Sequence, residues 1–185
     1  MKAILSGSIL SFLICYPALS QSKSSDLPFC DFPEEEPSEI NRTVTLTDVG
    51  IRITIPVNTR VVKKNDGSIE LMDNGTYKLI QCMNKPNSGV AGRGYISAII
   101  EKITPEYFYD YVIKEVPNKP QMYIASKTIL PEDGVKTFEF WLRIKTPKGV
   151  FDIKNNVPTY PTSQEEITAD LEGIEIRASL IDIIK

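Results

Sequence analysis

Residues 122–153, MYIASKTILPEDGVKTFEFWLRIKTPKGVFDI, carry the pattern that decides the fold. Phe138, Phe140, Leu142 and Ile144 recur at every second position, so Val135 to Lys145 reads as a strand with one apolar face. Pro131-Glu132-Asp133-Gly134 is a tight turn in front of it, and Met122 to Leu130 is a second strand rich in β-formers. Thr146-Pro147-Lys148-Gly149 turns the chain again into Val150 to Ile153. Three antiparallel strands in a meander follow. Trp141 falls on the face opposite the Phe138 stripe, and two readings stand: a helix covers that face, or Trp141 is an exposed anchor for a partner. The first is preferred.

Upstream of the meander, Thr104-Pro105-Glu106 has the residues of a helix start: a capping hydroxyl, a Pro for the first position and an acid for the positive end of the dipole. The spacing predicts a helix over 105–115, stopped by Pro117. Phe108, Val112 and Val116 share one stripe, with Tyr107 and Tyr111 beside it. Tyr107, Tyr109 and Tyr111 are read as core and rim, with ligand stacking as the alternative. Downstream, Ser163 and Glu166 fit a capping box and Ile167, Leu171, Ile174 and Ala178 follow at helical spacing. Gly173 weakens that helix, and Ile174, Ile176, Ala178 and Leu180 also suit a strand.

From Arg42 the period is two. Val44 and Leu46 alternate with threonines, Asp48-Val49-Gly50 turns, and Ile51, Ile53 and Ile55 continue to Pro56. Val61-Val62 leads into the turn Asn65-Asp66-Gly67-Ser68, with Ile69 and Leu71 on the return strand. After Asp73-Asn74-Gly75, alternation of Tyr77, Leu79 and Gln81 predicts another strand over 76–82. The loop 84–94, NKPNSGVAGRG, is polar and glycine-rich, and Tyr95 to Ile103 returns as a strand. Its glycines and Arg93 suit a small anion, but the spacings of a P-loop and of a dinucleotide-binding turn are missing, and a connecting loop is preferred.

The N-terminus, with Lys2, the apolar run Ala3 to Tyr16 and small residues at Ala18 and Ser20, reads as a secretory signal cleaved before Gln21. An uncleaved anchor and a lipoprotein using Cys15 are the alternatives. Removal of 1–20 leaves 165 residues with 20 basic against 24 acidic side chains, a formal charge of −4, which offers no global field for nucleic acid or anionic lipid. Residues 21–40, with Pro28, Pro33 and Pro37 among six acids, read as a leader without regular structure. It is expected to lie extended over the surface, fastened at Cys30 and otherwise solvated. Cys30 and Cys82 are the only cysteines beyond the signal, so an oxidising compartment favours their pairing. The remainder, 41–185, reads as one domain, α+β: a twisted, mainly antiparallel sheet of about six to eight strands with two packed helices.

The chain of 185 residues contains no His, which removes His-based triads, imidazole bases and His-ligated metals. Scattered acids single out no catalytic pair, and Ser126-Lys127, adjacent in a strand, point to opposite faces. No cofactor motif and no metal-ligand spacing is found.

Ile53-Thr54-Ile55-Pro56, Asn65-Asp66-Gly67-Ser68, Leu79-Ile80-Gln81-Cys82 and Gly92-Arg93-Gly94-Tyr95 together resemble small exported cyanobacterial proteins of unassigned activity, over about residues 42–100. More loosely, the order of elements resembles the PsbP-like fold of photosystem II extrinsic proteins. That resemblance implies a lumenal or periplasmic, non-enzymatic accessory protein. The leading expectation is therefore an exported, non-catalytic module that binds a protein partner or envelope component in the periplasm, a lumen or outside the cell, through Trp141, Tyr107 and Tyr111. The alternative is a small-ligand or anion-binding protein using Arg93 with Arg60 or Tyr95, or a His-free hydrolase.

Overall fold

The computed structural model describes residues 29–91, 94, 96–108, 110–129, 137–155 and 161–184. The signal segment, the turn 131–134, Arg93, Tyr95 and Tyr109 lie outside the described residues.

The meander stands as read. Strands β9 (Met122–Ile129), β10 (Thr137–Thr146) and β11 (Gly149–Lys154) pair antiparallel, with Thr146 opposite Gly149 and Arg143 opposite Asp152. They belong to a seven-stranded antiparallel sheet that also contains β4 (Thr59–Lys63), β5 (Ile69–Asp73), β7 (Ile96–Ile103) and β8 (Val112–Glu115), in the order β4-β5-β7-β11-β10-β9-β8. A second antiparallel sheet holds β2 (Asn41–Leu46), β3 (Ile51–Pro56) and β12 (Ile181–Ile183), in the order β12-β3-β2. A short parallel pair joins β1 (Phe29–Asp31) to β6 (Gly89–Ala91). The expected α+β class holds, with the strands divided between two main sheets rather than gathered in one. The division follows from alternation: Ile51, Ile53 and Ile55 bury one face of β3 against Leu71, Ile100, Leu142 and Ile144 of the larger sheet, in one continuous core.

Helix α2 (Gln164–Ser179) forms where the capping box placed it, with Ser163 Oγ accepting from the Glu166 amide at 3.2 Å and Ile174 and Ala178 buried in the core. The competing strand reading of Ile174 to Leu180 does not hold; the strand that adds to β3, β12, begins at Ile181, beyond those residues. Gly173 faces open space: a Cβ added there would have no atom within 4 Å. Gly173→Ala is therefore expected to raise stability by about 1 kcal/mol in urea unfolding, the helix-propensity difference alone.

Two expectations are corrected. Residues 76–82 are not a strand but part of helix α1 (Asn74–Met83). Asp73 is its N-cap, accepting the Thr76 amide at 2.9 Å, so the Asp-Asn-Gly that resembles a hairpin turn is a helix start. Gly75, Thr76, Leu79 and Cys82 form its buried face, at helical rather than alternating spacing.

Nor does a helix run over 105–115. Only Pro105–Tyr107 makes a single 3-10 turn, and Val112–Glu115 is the edge strand β8. The buried Arg143 is the reason: its Nη1 donates to the carbonyls of Tyr107, Phe108 and Asp110 at 2.9, 2.8 and 2.6 Å, occupying acceptors that a continuing helix would use. Tyr111 then takes a positive φ of 67° and its carbonyl accepts the Ser126 amide at 2.8 Å, which starts β8 against β9.

The leader also differs from a solvated tail. Cys30 is fully buried and joined to Cys82, with Cα atoms 5.7 Å apart, so the expected disulfide fastens β1 to α1. Beyond it, the chain is bonded along the domain: the Glu35 amide donates to Asp73 Oδ1 at 2.9 Å, the Ser38 amide to Asn58 Oδ1 at 3.0 Å, and Asn58 Nδ2 to the Glu36 carbonyl at 2.8 Å. Past Phe32, which packs against Cys30, Leu79 and Cys82, the polar segment is held by side chains that complete its backbone hydrogen bonds. Gly75 lets it approach, because a Cβ there would lie 1.8 Å from the Pro33 carbonyl oxygen. In Gly75→Ala, helix propensity favours the variant by about 1 kcal/mol, and a clash with backbone opposes it by more. The expected outcome is a lower melting temperature and loss of hydrogen-exchange protection at the Glu35 and Ser38 amides.

Acid sensitivity follows from the caps. Burial raises the Asp73 pKa, but hydrogen bonds from Thr76, Glu35 and Gly75 outweigh it and hold the carboxyl below its ordinary 3.8. The Thr162 and Ser163 amides hold Glu166 below 4.5. Depressed carboxylate pKa values contribute stability that is present above the ordinary values and is lost as pH falls through the folded ones. Urea midpoints are thus expected to fall from about pH 4.5 downward, less steeply in Asp73→Asn and Glu166→Gln than in the parent.

Candidate functional site

The odd-numbered positions of β10 face away from the main core, yet Trp141 and Arg143 are buried, at 4% and 3% exposure. Trp141 is covered, as preferred, but not by the expected helix: the cover is the stretch around the 3-10 turn Pro105–Tyr107 together with Tyr111. Tyr111 lies against Trp141 with ring centroids 5.9 Å apart, and Phe108 meets Tyr123 edge-on at 5.0 Å. Lys145 Nζ stands 5.5 Å from the Phe108 ring centroid. Trp141 therefore cannot itself be an exposed anchor; it is the floor on which Tyr111 rests.

Cross-strand register places the charge that holds this cover. Arg143 pairs with Asp152 across the meander, and the two join bidentately, Nε to Oδ1 at 2.7 Å and Nη2 to Oδ2 at 2.8 Å. Since Nη1 serves the three carbonyls of the 105–110 segment, one guanidinium bridges strand, partner strand and covering loop. Arg143 Cζ and Lys154 Nζ sit 5.9 and 5.5 Å from the Trp141 centroid, and Lys154 is itself 3.3 Å from Glu101. Trp141 Nε1 is buried without a hydrogen-bond partner among the described residues.

Three large side chains of this stretch are exposed: Tyr107 at 56%, Tyr111 at 53% and, on β8 at the irregularity between Val112 and Lys114, Ile113 at 51%. β8 is the edge of the seven-stranded sheet. Arg143, Asp152 and Ile113 do not stand out in the sequence, although the two-residue loop at Pro147-Lys148 implies the Arg143–Asp152 register.

Arg60 lies elsewhere. On β4, the opposite edge, it stacks over Tyr77 at 5.8 Å and donates to Asn74 Oδ1 at 2.9 Å, beside the start of α1. Gly94 approaches the same helix, where an added Cβ would be 2.9 Å from Thr76 Cγ2. The structure thus brings Tyr107, Tyr111 and Trp141 together and keeps Arg60 apart from them; Arg93 and Tyr95 are outside the described residues.

Among the described residues, no group of three or more acidic or thiol side chains is arranged to hold a metal ion, and no helix is long and apolar enough to cross a membrane. Comparison with protein-family models, curated proteins and solved structures finds no match for the chain.

Proposed function

We propose that the chain is an exported module that binds a protein partner through the Tyr107–Tyr111–Ile113 rim. The observation that carries this reading is the combination of half-exposed apolar side chains with a backbone fixed from beneath by Arg143. Aromatic side chains held in place contribute contact area with little ordering cost, which favours association. Because the rim borders β8, the partner suited to it is an extended segment that adds to the sheet edge and sets alternate apolar side chains against Ile113 and the tyrosines. Export is supported by the secretory pattern of residues 1–20 together with the Cys30–Cys82 bond.

The test compares the oxidised mature chain with Tyr107→Ala and Ile113→Lys, both at exposed positions, for binding to the partner captured from native envelope. Each variant is expected to weaken binding at least about tenfold while leaving the melting temperature unchanged. Unchanged affinity in both would remove the rim from the binding surface.

A further inference from the structure

Two tripeptides of the chain have the acceptor pattern for N-linked glycans, Asn41-Arg42-Thr43 and Asn74-Gly75-Thr76. The pattern is short enough to recur by chance, so the surroundings of each decide what it can carry.

The fold treats them differently. Asn74 is the first residue of α1, and both ends of its amide are engaged: Oδ1 accepts from Arg60 Nε and Nδ2 donates to Glu35 Oε1, each at 2.9 Å. Thr76 is 1% exposed, and the leader lies against Gly75, where a Cβ would be 1.8 Å from the Pro33 carbonyl oxygen. A sugar on Asn74 would therefore push Glu35 aside and lift the leader from the helix. Asn41, Arg42 and Thr43, in contrast, are all exposed at the start of β2. Val44 and Leu46 turn toward the core, so Asn41 and Thr43 share the outer face of the strand. The Asn41 amide makes no side-chain hydrogen bond among the described residues, so a substituent on it displaces nothing. Glu39 stands two residues before Asn41, where the bacterial class of transferase takes an acid, whereas Asn74 has Met72 there.

We infer that Asn41 is an N-glycosylation site and that Asn74 is not. The donor is an oligosaccharide linked to a polyprenyl pyrophosphate. Asn41 Nδ2 attacks its anomeric carbon, the bond from that carbon to the pyrophosphate oxygen breaks, and the lipid pyrophosphate leaves. The amide keeps one N–H and gives the other proton to a base of the transferase, with nothing oxidised or reduced. The inference rests on the export proposed above, since chains meet this donor only on the export route. It also gives β2 a protection that its sequence lacks. Among the described residues the strand pairs only with β3, without a register shift, and its one charged side chain, Arg42, is turned aside to the Thr59 carbonyl at 2.8 Å. A regular edge without Pro or bulge is a template for pairing with another chain. A bulky, hydrated glycan at its first residue obstructs that pairing without entering the core.

The test starts from the protein purified from native envelope. Its intact mass should exceed that of the polypeptide by one glycan, and peptide fragmentation should place the glycan on Asn41. In the same host, Asn41→Gln and Thr43→Ala should each lose it completely, and Asn74→Gln should keep it. The first two substitutions lie at exposed positions and remove different atoms of the acceptor, and melting temperatures identify any variant that fails to fold. A bare Asn41 in the native protein, a glycan on Asn74, or a glycan that persists in Thr43→Ala would overturn the inference. The N-terminus of the same sample separates this failure from a failure of export: Gln21 first with a bare Asn41 leaves the export proposal standing, and Met1 first with a bare Asn41 removes both.

Discussion

Asp152→Ala is expected to destabilise the protein by about 3–5 kcal/mol, because it leaves the Arg143 charge buried with its partner removed. Both side chains are almost wholly enclosed, at 4% and 3% exposure. Arg143→Met should cost a similar amount by a different route, since Asp152 loses its partner and the Tyr107, Phe108 and Asp110 carbonyls lose their donor. The double replacement Arg143→Met with Asp152→Leu separates the two effects. It removes both charges, so most of the electrostatic cost is recovered, while the three carbonyls remain without Nη1. Urea unfolding should then show the double variant more stable than Asp152→Ala, and hydrogen exchange should still show the 105–111 segment less protected than in the parent. A cost below about 1 kcal/mol for Asp152→Ala would place the pair in solvent and contradict its role as the clamp of the rim.

The second large effect is the disulfide. Cys30 and Cys82 are separated by 52 positions, and closing a loop of that length restricts the unfolded chain by about 4 kcal/mol. For a domain of this size that corresponds to a fall in melting temperature of roughly 8–16 °C in Cys30→Ser/Cys82→Ser. The native side contributes as well, because Cys30, Cys82 and Leu79, with Phe32 against them, form a small apolar cluster under the leader. Without the covalent link that cluster and the bonds at Asp73 and Asn58 must hold the leader alone. Hydrogen exchange should therefore rise first at the Glu35 and Ser38 amides. A reduced protein with an unchanged melting temperature and a protected leader would show that these non-covalent contacts suffice.

How much of this was legible in the sequence depends on whether local pattern and tertiary demand agree. They agree in the meander, where alternation specifies the faces and the two-residue loop Pro147-Lys148 the register of β10 with β11. They agree again at Ser163 and Glu166, whose capping box is a purely local device. They conflict at Thr104-Pro105-Glu106, where a sound helix start is cut short after one turn by a guanidinium more than thirty positions away. No local pattern contains that information. Residues 73–83 mislead for another reason: Asp-Asn-Gly serves equally as a turn or as a capped start, and the alternation of Tyr77, Leu79 and Gln81 masks the helical spacing of Thr76, Leu79 and Cys82. The candidate site was half legible. Its tyrosines are visible in the sequence, but Trp141 is their support, and Ile113 is hidden inside a segment expected to be helical.

The most direct test of the proposed binding surface places a photo-crosslinking residue at position 113 of mature, oxidised protein in native envelope, with the same residue at position 57 as reference. Val57 is also exposed, at 42%, but lies just before β4, the opposite edge of the seven-stranded sheet. Binding at the rim should yield one saturable crosslinked partner from position 113 and none from 57. Labelling that is equal at the two positions, or background alone at 113, would contradict it.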